Sequence, residues 1–368
     1  MSTFLLRDRH ASLAVASGSS RTGSTFRSLR SFRLACRPLA TKIPHPLLRG
    51  PFGLLTLLAC ALASGTCHAQ VYPNRPVKIV VPFAAGSGSD AYARLIAEDM
   101  GAAFNQTFIV ENKAGASAQI GTQAVARAAA DGYTLLIATN TGHSANPSLF
   151  KKLPYEPLSD FSAIGRILYM PYLLIVPKTS PLQSVAGLIE RAQAAPNSMN
   201  YGFGNSSSQI SSADFSRQAQ IVSTGVAYKS MPPALTDLIG GQLDYLFIDV
   251  STAQTQLKAG RVKALGFSLA KRSAQLPDVP AIAETPGMAG FELTSWVGLV
   301  GPAGLAPDVV ERLSSQLRRT LAKPEVRDKL IAMGAEVAPS SAAEMTEFMR
   351  QQLQSWTSKI RAAGIQPE

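Results

Sequence analysis

The chain has no cysteine after residue 70, because its three cysteines, Cys36, Cys60 and Cys67, all lie before that point. A disulfide framework, a thiolate nucleophile and a cysteine-ligated zinc ion are therefore excluded from residues 70–368. Histidine is equally scarce, since His143 is the only histidine beyond residue 70. A cysteine-free body is compatible with an oxidising compartment without requiring one.

Common patterns of hydrolytic and metal-dependent enzymes are also missing after residue 70. The sequence contains no Gly-x-Ser-x-Gly elbow, no His-x-x-x-His pair and no cluster of carboxylates there. We therefore expect no catalytic residue, no bound metal and no cofactor, and a hydrolytic enzyme is the weaker alternative.

Positive charge is concentrated at the amino terminus. Residues 1–50 carry nine basic residues against one acidic residue, a net charge of +8, and residues 51–69 carry none of either sign. Of the total net charge of +11, only +3 is left for residues 70–368. A nucleic-acid-binding protein needs basic charge on its working surface to displace counterions from phosphates. We therefore expect no nucleic-acid partner.

The basic segment leads into a short apolar run, Pro51–Ala63, and then into small residues ending at Ala69. This order predicts a signal peptide over residues 1–69, cleaved between Ala69 and Gln70, and a periplasmic protein. The run is shorter than the roughly 20 residues of a membrane span. A buried helix, a membrane anchor and a lipoprotein box ending at Cys60 are the alternatives. The long basic segment fits a start codon placed too early, with the true start near residue 40.

Strands and helices alternate after residue 70, which is typical of an α/β fold. The patterns predict strands over 77–83, 107–111, 133–138, 172–176, 199–202, 225–228, 245–249 and 262–267. They predict helices over 89–104, 118–129, 208–218, 233–240, 307–321, 324–333 and 342–362.

The most informative segment is the turn Pro82–Asp90, where a strand ends, glycines and serines follow, and a helix begins. Glycines let backbone N–H groups approach a ligand, and a helix N-terminus adds unpaired donors and partial positive charge. The turn therefore predicts a site for a carboxylate or a phosphate. A plain turn capped by Ser87 or Ser89 is the alternative. The glycine patterns of dinucleotide- and P-loop-binding proteins are not completed, which disfavours nucleotides.

Three further polar segments, 139–143, 204–209 and 248–252, follow strands or precede a helix. Ligands in open α/β sheets bind beyond the carboxyl ends of the strands. We expect these loops to converge on one cleft, although each alone is also explained as a solvated cap.

A series of motifs resembles the Bug proteins, the solute receptors of tripartite tricarboxylate transporters. The resemblance runs in order from about residue 72 to the end of the chain, through Tyr72–Asp90, Val110–Gly115, Ala130–Leu135, Asn146–Tyr155, Pro233–Asp244, Ala270–Pro280 and Ser295–Gly304. It implies a two-lobed periplasmic-binding-protein fold with a ligand cleft between the lobes and two interlobe crossovers. Residues 70–171 would begin lobe 1, residues 172–290 would form lobe 2, and residues 291–368 would return to lobe 1.

The resemblance also implies a function and a site. The protein would capture a small carboxylate (an organic, amino or aromatic acid) and deliver it, as a monomer, to membrane permease subunits. Relay of the ligand signal to a membrane sensor kinase is the alternative. Main-chain groups and bridging waters would hold the ligand, with contributions from Phe83, Ala84, Ala85, Gly86, Ser87, Gly88, Ser89, Asp90, Thr139, Thr141, His143, Asn205, Ser206, Ser207, Ser208, Lys229 and Asp249.

Four of the implied pocket loops depart from the family pattern. Serines interrupt consecutive glycines in Gly86–Ser89, and the loop Gly204–Ile210 lacks the family's histidine. Ala227–Ser230 replaces Pro-Tyr-Lys-Gly, and Asp249-Val250 replaces Asp-Asn. These departures predict an altered ligand.

Overall fold

A computed structural model of the chain describes residues 72–273 and 276–367. The predicted signal peptide, its cleavage site and Cys60 lie outside these residues. Within the described ranges, no helix is both long and apolar enough to cross a membrane.

Strands and helices alternate through the described chain. The strands are β1 Val77–Val81, β2 Phe108–Asn112, β3 Thr134–Thr139, β4 Phe161–Pro177, β5 Asn200–Phe203, β6 Thr224–Ala227, β7 Tyr245–Asp249, β8 Val262–Phe267, β9 Thr294–Pro302 and β10 Glu336–Val337. The helices are α1 Gly88–Phe104, α2 Gln119–Ala126, α3 Asn146–Leu149, α4 Val185–Ala194, α5 Ser206–Gln218, α6 Met231–Ile239, α7 Val250–Lys258, α8 Pro307–Ala322, α9 Pro324–Ala332 and α10 Ala342–Ala362. A π-helical turn spans Thr141–Ala145, and a 3₁₀ turn spans Ile282–Glu284.

The strands pair in the order β2-β1-β3-β9-β4-β7-β5-β6, with β8 and β10 also bonded to β4. The long strand β4 pairs with strands on both sides of this order. Its residues 161–171 pair with β9, and its residues 172–177 pair with β7 and β8. We call the part built on β1, β2, β3, β9 and β10 the first lobe, and the part built on β5, β6, β7 and β8 the second lobe. The lobe boundaries at residues 171 and 290 stay predictions.

Apolar helix faces cover the sheet. Tyr92, Ile96 and Met100 of α1 are fully buried in the core that includes β1, and Trp356 of α10 is buried on the first lobe. In the second lobe, Leu235 and Leu238 of α6 pack into a separate cluster. Burial of such side chains is the main favourable term in folding. The packing holds the carboxyl ends of β1, β3 and β7 in fixed positions.

Most predicted elements agree with the structure. The strands 245–249 and 262–267 and the helix 342–362 have the predicted ends. The prediction of a loop over 248–252 is wrong, because Asp249 ends β7 and caps α7 with no residue between them. The helices α3, α4 and α7, the strands β9 and β10 and the first part of β4 were not predicted.

Candidate ligand-binding cleft

The turn after β1 is held by its own side chains. Gly86 has a φ of +79°, a left-handed conformation that favours glycine, and its N–H donates to Asp90 at 3.0 Å. The Ser87 hydroxyl caps α1 by accepting a bond from the Asp90 N–H at 3.3 Å. The alternative interpretation of this turn, a helix cap by Ser87, is therefore also present in the structure. Helix α1 begins at Gly88, and the Gly88 N–H bonds Thr252 of the second lobe. The N-terminus of α1 therefore faces the region where the lobes meet.

Asp90 organises this turn from a buried position. Its carboxylate accepts bonds from Asn112 Nδ2 at 2.9 Å and Arg94 Nε at 3.1 Å, in addition to the Gly86 N–H. Burial alone would raise the pKa of Asp90, but hydrogen bonds from Arg94, Gly86 and Asn112 hold it below its usual value. Asp90 is therefore an ionised and fully partnered carboxylate.

The second lobe contributes two further helix N-termini. Asn205 caps α5 by accepting a bond from the Ser208 N–H at 2.8 Å. Asp249 caps α7 by accepting a bond from the Thr252 N–H, also at 2.8 Å. Asp249 is only 2% exposed, and burial raises the pKa of its carboxyl although the bonds from Thr252 lower it. A buried aspartate thus stands on each side of the cleft.

The two lobes contact each other directly through polar groups. The Gly88 N–H donates to Thr252 Oγ1 at 2.8 Å. Asn140 Nδ2 donates to Ser206 Oγ at 2.9 Å and to Ser207 Oγ at 2.8 Å. These bonds join α1 to α7 and the end of β3 to α5. The lobes are therefore closed on one another.

A small cavity of about 10 Å³ remains between the walls. This is about the space that one water molecule needs, so a larger ligand enters only when the lobes separate. The cavity is lined by Phe83, Ser87, Gly88, Ser89, Thr139, Asn140, Thr141, Met170, Tyr172, Asn205, Ser230, Met231, Asp249 and Ser295.

The structure brings about half of the predicted site residues to this cavity. Those lining it are Phe83, Ser87, Gly88, Ser89, Thr139, Thr141, Asn205 and Asp249. Buried residues immediately beyond the lining are Asp90, Ser206, Ser207 and Ser208. The remaining predicted residues lie outside the lining: Ala84, Ala85 and Gly86 on the partly exposed side of the turn, the exposed Lys229, and His143.

His143 lies in the core of the first lobe. It is fully buried in the π-helical turn, with its ring edge-on to Phe161 at a centroid distance of 4.8 Å and near Trp296 at 6.2 Å. Burial lowers the pKa of His143 from its usual 6.5 to about 4. The imidazole is therefore a neutral core side chain at physiological pH and does not face the cavity.

Six lining residues were missed from the sequence, and one of them, Met231, is the first residue of α6. Asn140 and Ser230 lie in polar loops that the sequence marks, and their position at strand ends was the available signal. Met170, Tyr172 and Ser295 lie where β4 and β9 cross between the lobes, and no local pattern marks them. The Tyr172 hydroxyl donates to Asn205 Oδ1 at 3.1 Å, and the Ser295 hydroxyl donates to Asn140 Oδ1. The crossovers thus form part of the cleft wall.

The charge of the cleft is set by one side chain. Asp249 and Tyr172 are the only ionisable residues lining the cavity, and burial raises the pKa of Tyr172 well above its usual range. Neutral hydroxyls, amides and backbone groups make up the other polar lining. In the part of the chain that the structure describes, no group of three His, Cys, Asp or Glu residues is placed to hold a metal. The arrangement can bind a small polar solute by hydrogen bonds.

Known proteins are similar to this chain in sequence. The family model described as the tripartite tricarboxylate transporter family receptor matches residues 92–365. A relative from Pseudomonas sp. (strain P51), the UPF0065 protein in the tcbD-tcbE intergenic region, is 31% identical over 327 residues, covering 87% of this chain and 97% of its own.

Two solved structures are similar over the same part of the chain. The periplasmic binding protein BugD is 33% identical with a TM-score of 0.77, covering 81% of this chain and 100% of its own. The R. palustris protein Rpa4515, solved with adipate, is 32% identical with a TM-score of 0.79 and the same coverage. The predicted two-lobed periplasmic-binding-protein fold is confirmed by these similarities. The chain belongs to the tripartite tricarboxylate transporter receptor family, which includes the Bug proteins.

Proposed function

We propose that this protein is a periplasmic solute receptor that captures a small carboxylate between its lobes and presents it to the permease subunits of a tripartite tricarboxylate-type transporter. The observation that carries the proposal is the cleft itself, where helix N-termini from both lobes meet around a polar cavity. The similarity to BugD and to Rpa4515, solved with adipate, supports the same conclusion.

The proposed capture depends on contacts that the ligand makes in the closed form and not in the open form. A ligand drives closure only if it gains interactions in the closed form that the open form lacks. Donors come from both lobes, including Ser89 and Thr141 on the first and Ser230 on the second. The bonds between Asn140 and the α5 serines add protein–protein contacts to the closed form. A ligand that touches both walls therefore stabilises a form in which the lobes close around it, with more space between them than the 10 Å³ seen here.

The proposed route to the periplasm is the cleaved leader. The basic segment, the apolar run and the small residues ending at Ala69 support export with cleavage before Gln70. We further propose that the mature protein is a monomer with lobe 1 over 70–171 and 291–368 and lobe 2 over 172–290. The shared strand β4 supports a division near residue 171.

Binding to an acid panel tests the proposal. The full chain is expressed with its own leader, the protein is recovered from the periplasm, and its melting temperature is followed with organic, amino and aromatic acids. We expect at least one acid to raise the melting temperature and to give a saturable calorimetric heat. Asn140→Ala, which removes the contact to α5, is expected to weaken that binding. A protein that responds to no member of the panel would contradict the proposal.

A second experiment addresses the transporter. Uptake of the labelled acid is measured in cells with and without this gene, and again with each permease gene deleted. We expect uptake to require both this gene and the permease genes. Uptake that needs this gene but no tripartite permease would overturn the assigned partner while leaving the binding function intact.

A further inference from the structure

We propose that Val250 and Gln254 of the second lobe bind the end of helix α9 in the first lobe, and that this contact holds the lobes together before a ligand enters. We call the contact of Val250 and Gln254 with Gly334 and Ala332 the latch. None of these four residues lines the cavity. The inference concerns the motion of the lobes and goes beyond the proposed function.

Helix α9 ends in a left-handed glycine. Gly334 has a φ of +84°, its N–H donates to the Ile331 carbonyl at 2.7 Å, and the Ala335 N–H donates to the Leu330 carbonyl at 3.1 Å. This pair of bonds is a common way in which a glycine terminates a helix. Because glycine has no side chain, bare backbone of the first lobe is left open to a partner at this point.

Val250, the first residue of α7, packs against this bare backbone from the second lobe. A Cβ atom at Gly334 would overlap the Val250 side chain, so the contact requires glycine. Val250 is only 6% exposed and also belongs to the apolar cluster of the second lobe. Separation of the lobes would expose the part of Val250 that faces Gly334 to water, which is unfavourable. The family pattern has asparagine at this position, so the apolar contact is a feature of this chain.

Gln254, one turn further along α7, adds a hydrogen bond between the lobes. Its Nε2 atom donates to the Ala332 carbonyl at 2.7 Å. Ala332 is the last residue of α9, where carbonyls have no partner within the helix, and the next carbonyl, of Met333, accepts from Tyr92 of the first lobe at 3.3 Å. A side chain of the second lobe thus caps a helix of the first. The bond is exposed to solvent, so it contributes less than the burial of Val250.

The latch differs in position from the interlobe bonds inside the cleft. Asn140, which bonds Ser206, lines the cavity, so the geometry of that bond depends on what fills the cavity. The latch lies outside the lining, so a ligand in the cavity does not contact it. It therefore acts on the closure of the empty cleft, and the fraction of molecules with an open cleft depends on it.

A thiol placed in the cleft measures how often the lobes separate. Residues 70–368 contain no cysteine, and Ser89 lines the cavity and is 4% exposed. In Ser89→Cys the thiolate attacks dithiobis(nitrobenzoate), which forms a mixed disulfide and releases nitrothiobenzoate. A cavity of about 10 Å³ does not admit this reagent, so the reaction requires an open cleft. We expect the folded protein, recovered from the periplasm, to react at least about tenfold more slowly than the same protein in denaturant.

Val250→Ala in the Ser89→Cys protein removes two methyl groups from the latch, and the reaction is expected to become about fivefold faster. Gln254→Ala removes the exposed bond and is expected to make it about twofold faster. Val262→Ala is the matched control, because Val262 of β8 is 3% exposed in the same apolar cluster and loses the same two methyl groups within the second lobe. This control is expected to be less stable against unfolding but to keep the original reaction rate.

Three results would overturn the latch. They are a thiol that reacts in the folded Ser89→Cys protein as fast as in denaturant, a rate that Val250→Ala leaves unchanged, and an equal increase in Val262→Ala. The last result would show that loss of overall stability admits the reagent. If Val250→Ala does not fold, Gln254→Ala, which changes only a partly exposed side chain, decides alone. No ligand is involved, so the result is independent of the acid panel that tests the proposed function.

Discussion

Each lobe places one buried aspartate at a helix N-terminus beside the cleft, but the two receive different partners. Asp90 of the first lobe is bonded by Arg94, Asn112 and the Gly86 N–H, and its pKa is held below the usual value. Asp249 of the second lobe is bonded by Thr252 alone among side chains, and burial raises its pKa.

The difference shows that a helix N-terminus does not by itself decide what a buried carboxylate does. Asp90 has a cation and a full set of donors, so it is a structural element of the turn. Asp249 receives bonds from the neutral groups of Thr252 and lines the cavity, so a ligand can contact it. Four experiments test this contrast, from the largest expected effect to the smallest.

The largest effect is expected at His143, a buried ionisable group without a counter-ion in the first lobe. Its pKa of about 4 lies below its usual 6.5, so the unfolded chain binds the proton more tightly. Its contribution to stability is full above pH 6.5 and is lost as the pH falls towards 4, by on the order of 3 kcal/mol. Denaturant unfolding between these pH values measures the loss.

His143→Met separates this effect from the carboxylates that titrate nearby, because His143 is the only histidine of residues 70–368. The variant is expected to have a clearly flatter dependence of unfolding free energy on pH. An unchanged slope would show that His143 has the same pKa in the folded and the unfolded protein, which would contradict the expected effect of its burial.

The second effect is expected from Asp90→Asn. The substitution removes the charge that Arg94 and the Gly86 N–H contact, so we expect a loss of about 2 kcal/mol in unfolding free energy at neutral pH. Because the pKa of Asp90 is lowered in the folded state, this loss should disappear as the pH falls below the usual aspartate range. A variant as stable as the parent would remove the distinction between the two aspartates.

The third effect concerns the approach of the lobes. In Gly88→Ala the new methyl group overlaps the Asp249 carboxylate, so the closed form is expected to lose about 1.5 kcal/mol and ligand affinity to fall about tenfold. Calorimetry with the best acid of the panel measures the change. Gly187→Ala on α4 is the control, because the added Cβ makes only an ordinary contact there. Equal affinities in both variants would argue against the close approach.

The smallest effect is expected from Asp249→Asn. Because the folded-state pKa of Asp249 is raised, its ionised form lowers stability once the pH exceeds the usual aspartate range. The asparagine variant should therefore be more stable than the parent by about 1 kcal/mol at neutral pH, and the gain should vanish on acidification. Thermal melts at several pH values check this. A destabilised variant at pH 7 would place Asp249 in the same structural role as Asp90.

The sequence predicted the local parts of the cleft. Glycine and serine after the first strand predicted the turn, and the two ends of β7 followed from its apolar run, although the helix directly after it did not. These features depend on a few consecutive residues, so local patterns are sufficient. The same turn was predicted to bind an anion, and in the structure the protein's own Asp249 carboxylate lies against it.

The remaining parts depend on residues far apart in the chain. Met170 and Ser295 line the cavity because β4 and β9 pair across a long separation in sequence. The contact from Asn140 to Ser206 likewise exists only when the lobes meet. His143 was predicted to face the ligand, but the π-helical turn, a rare local geometry with no simple pattern, places it in the core.

The position of β9 has a consequence for the order in which the protein can fold. In the first lobe β9 lies between β3 and β4, yet it follows every strand of the second lobe in the chain. Synthesis begins at the amino terminus, so all strands of the second lobe are made before the first lobe receives its middle strand. Until then β3 and the first part of β4 have open edges, which are sites for mispairing. The amino-terminal lobe is therefore the later of the two to be completed.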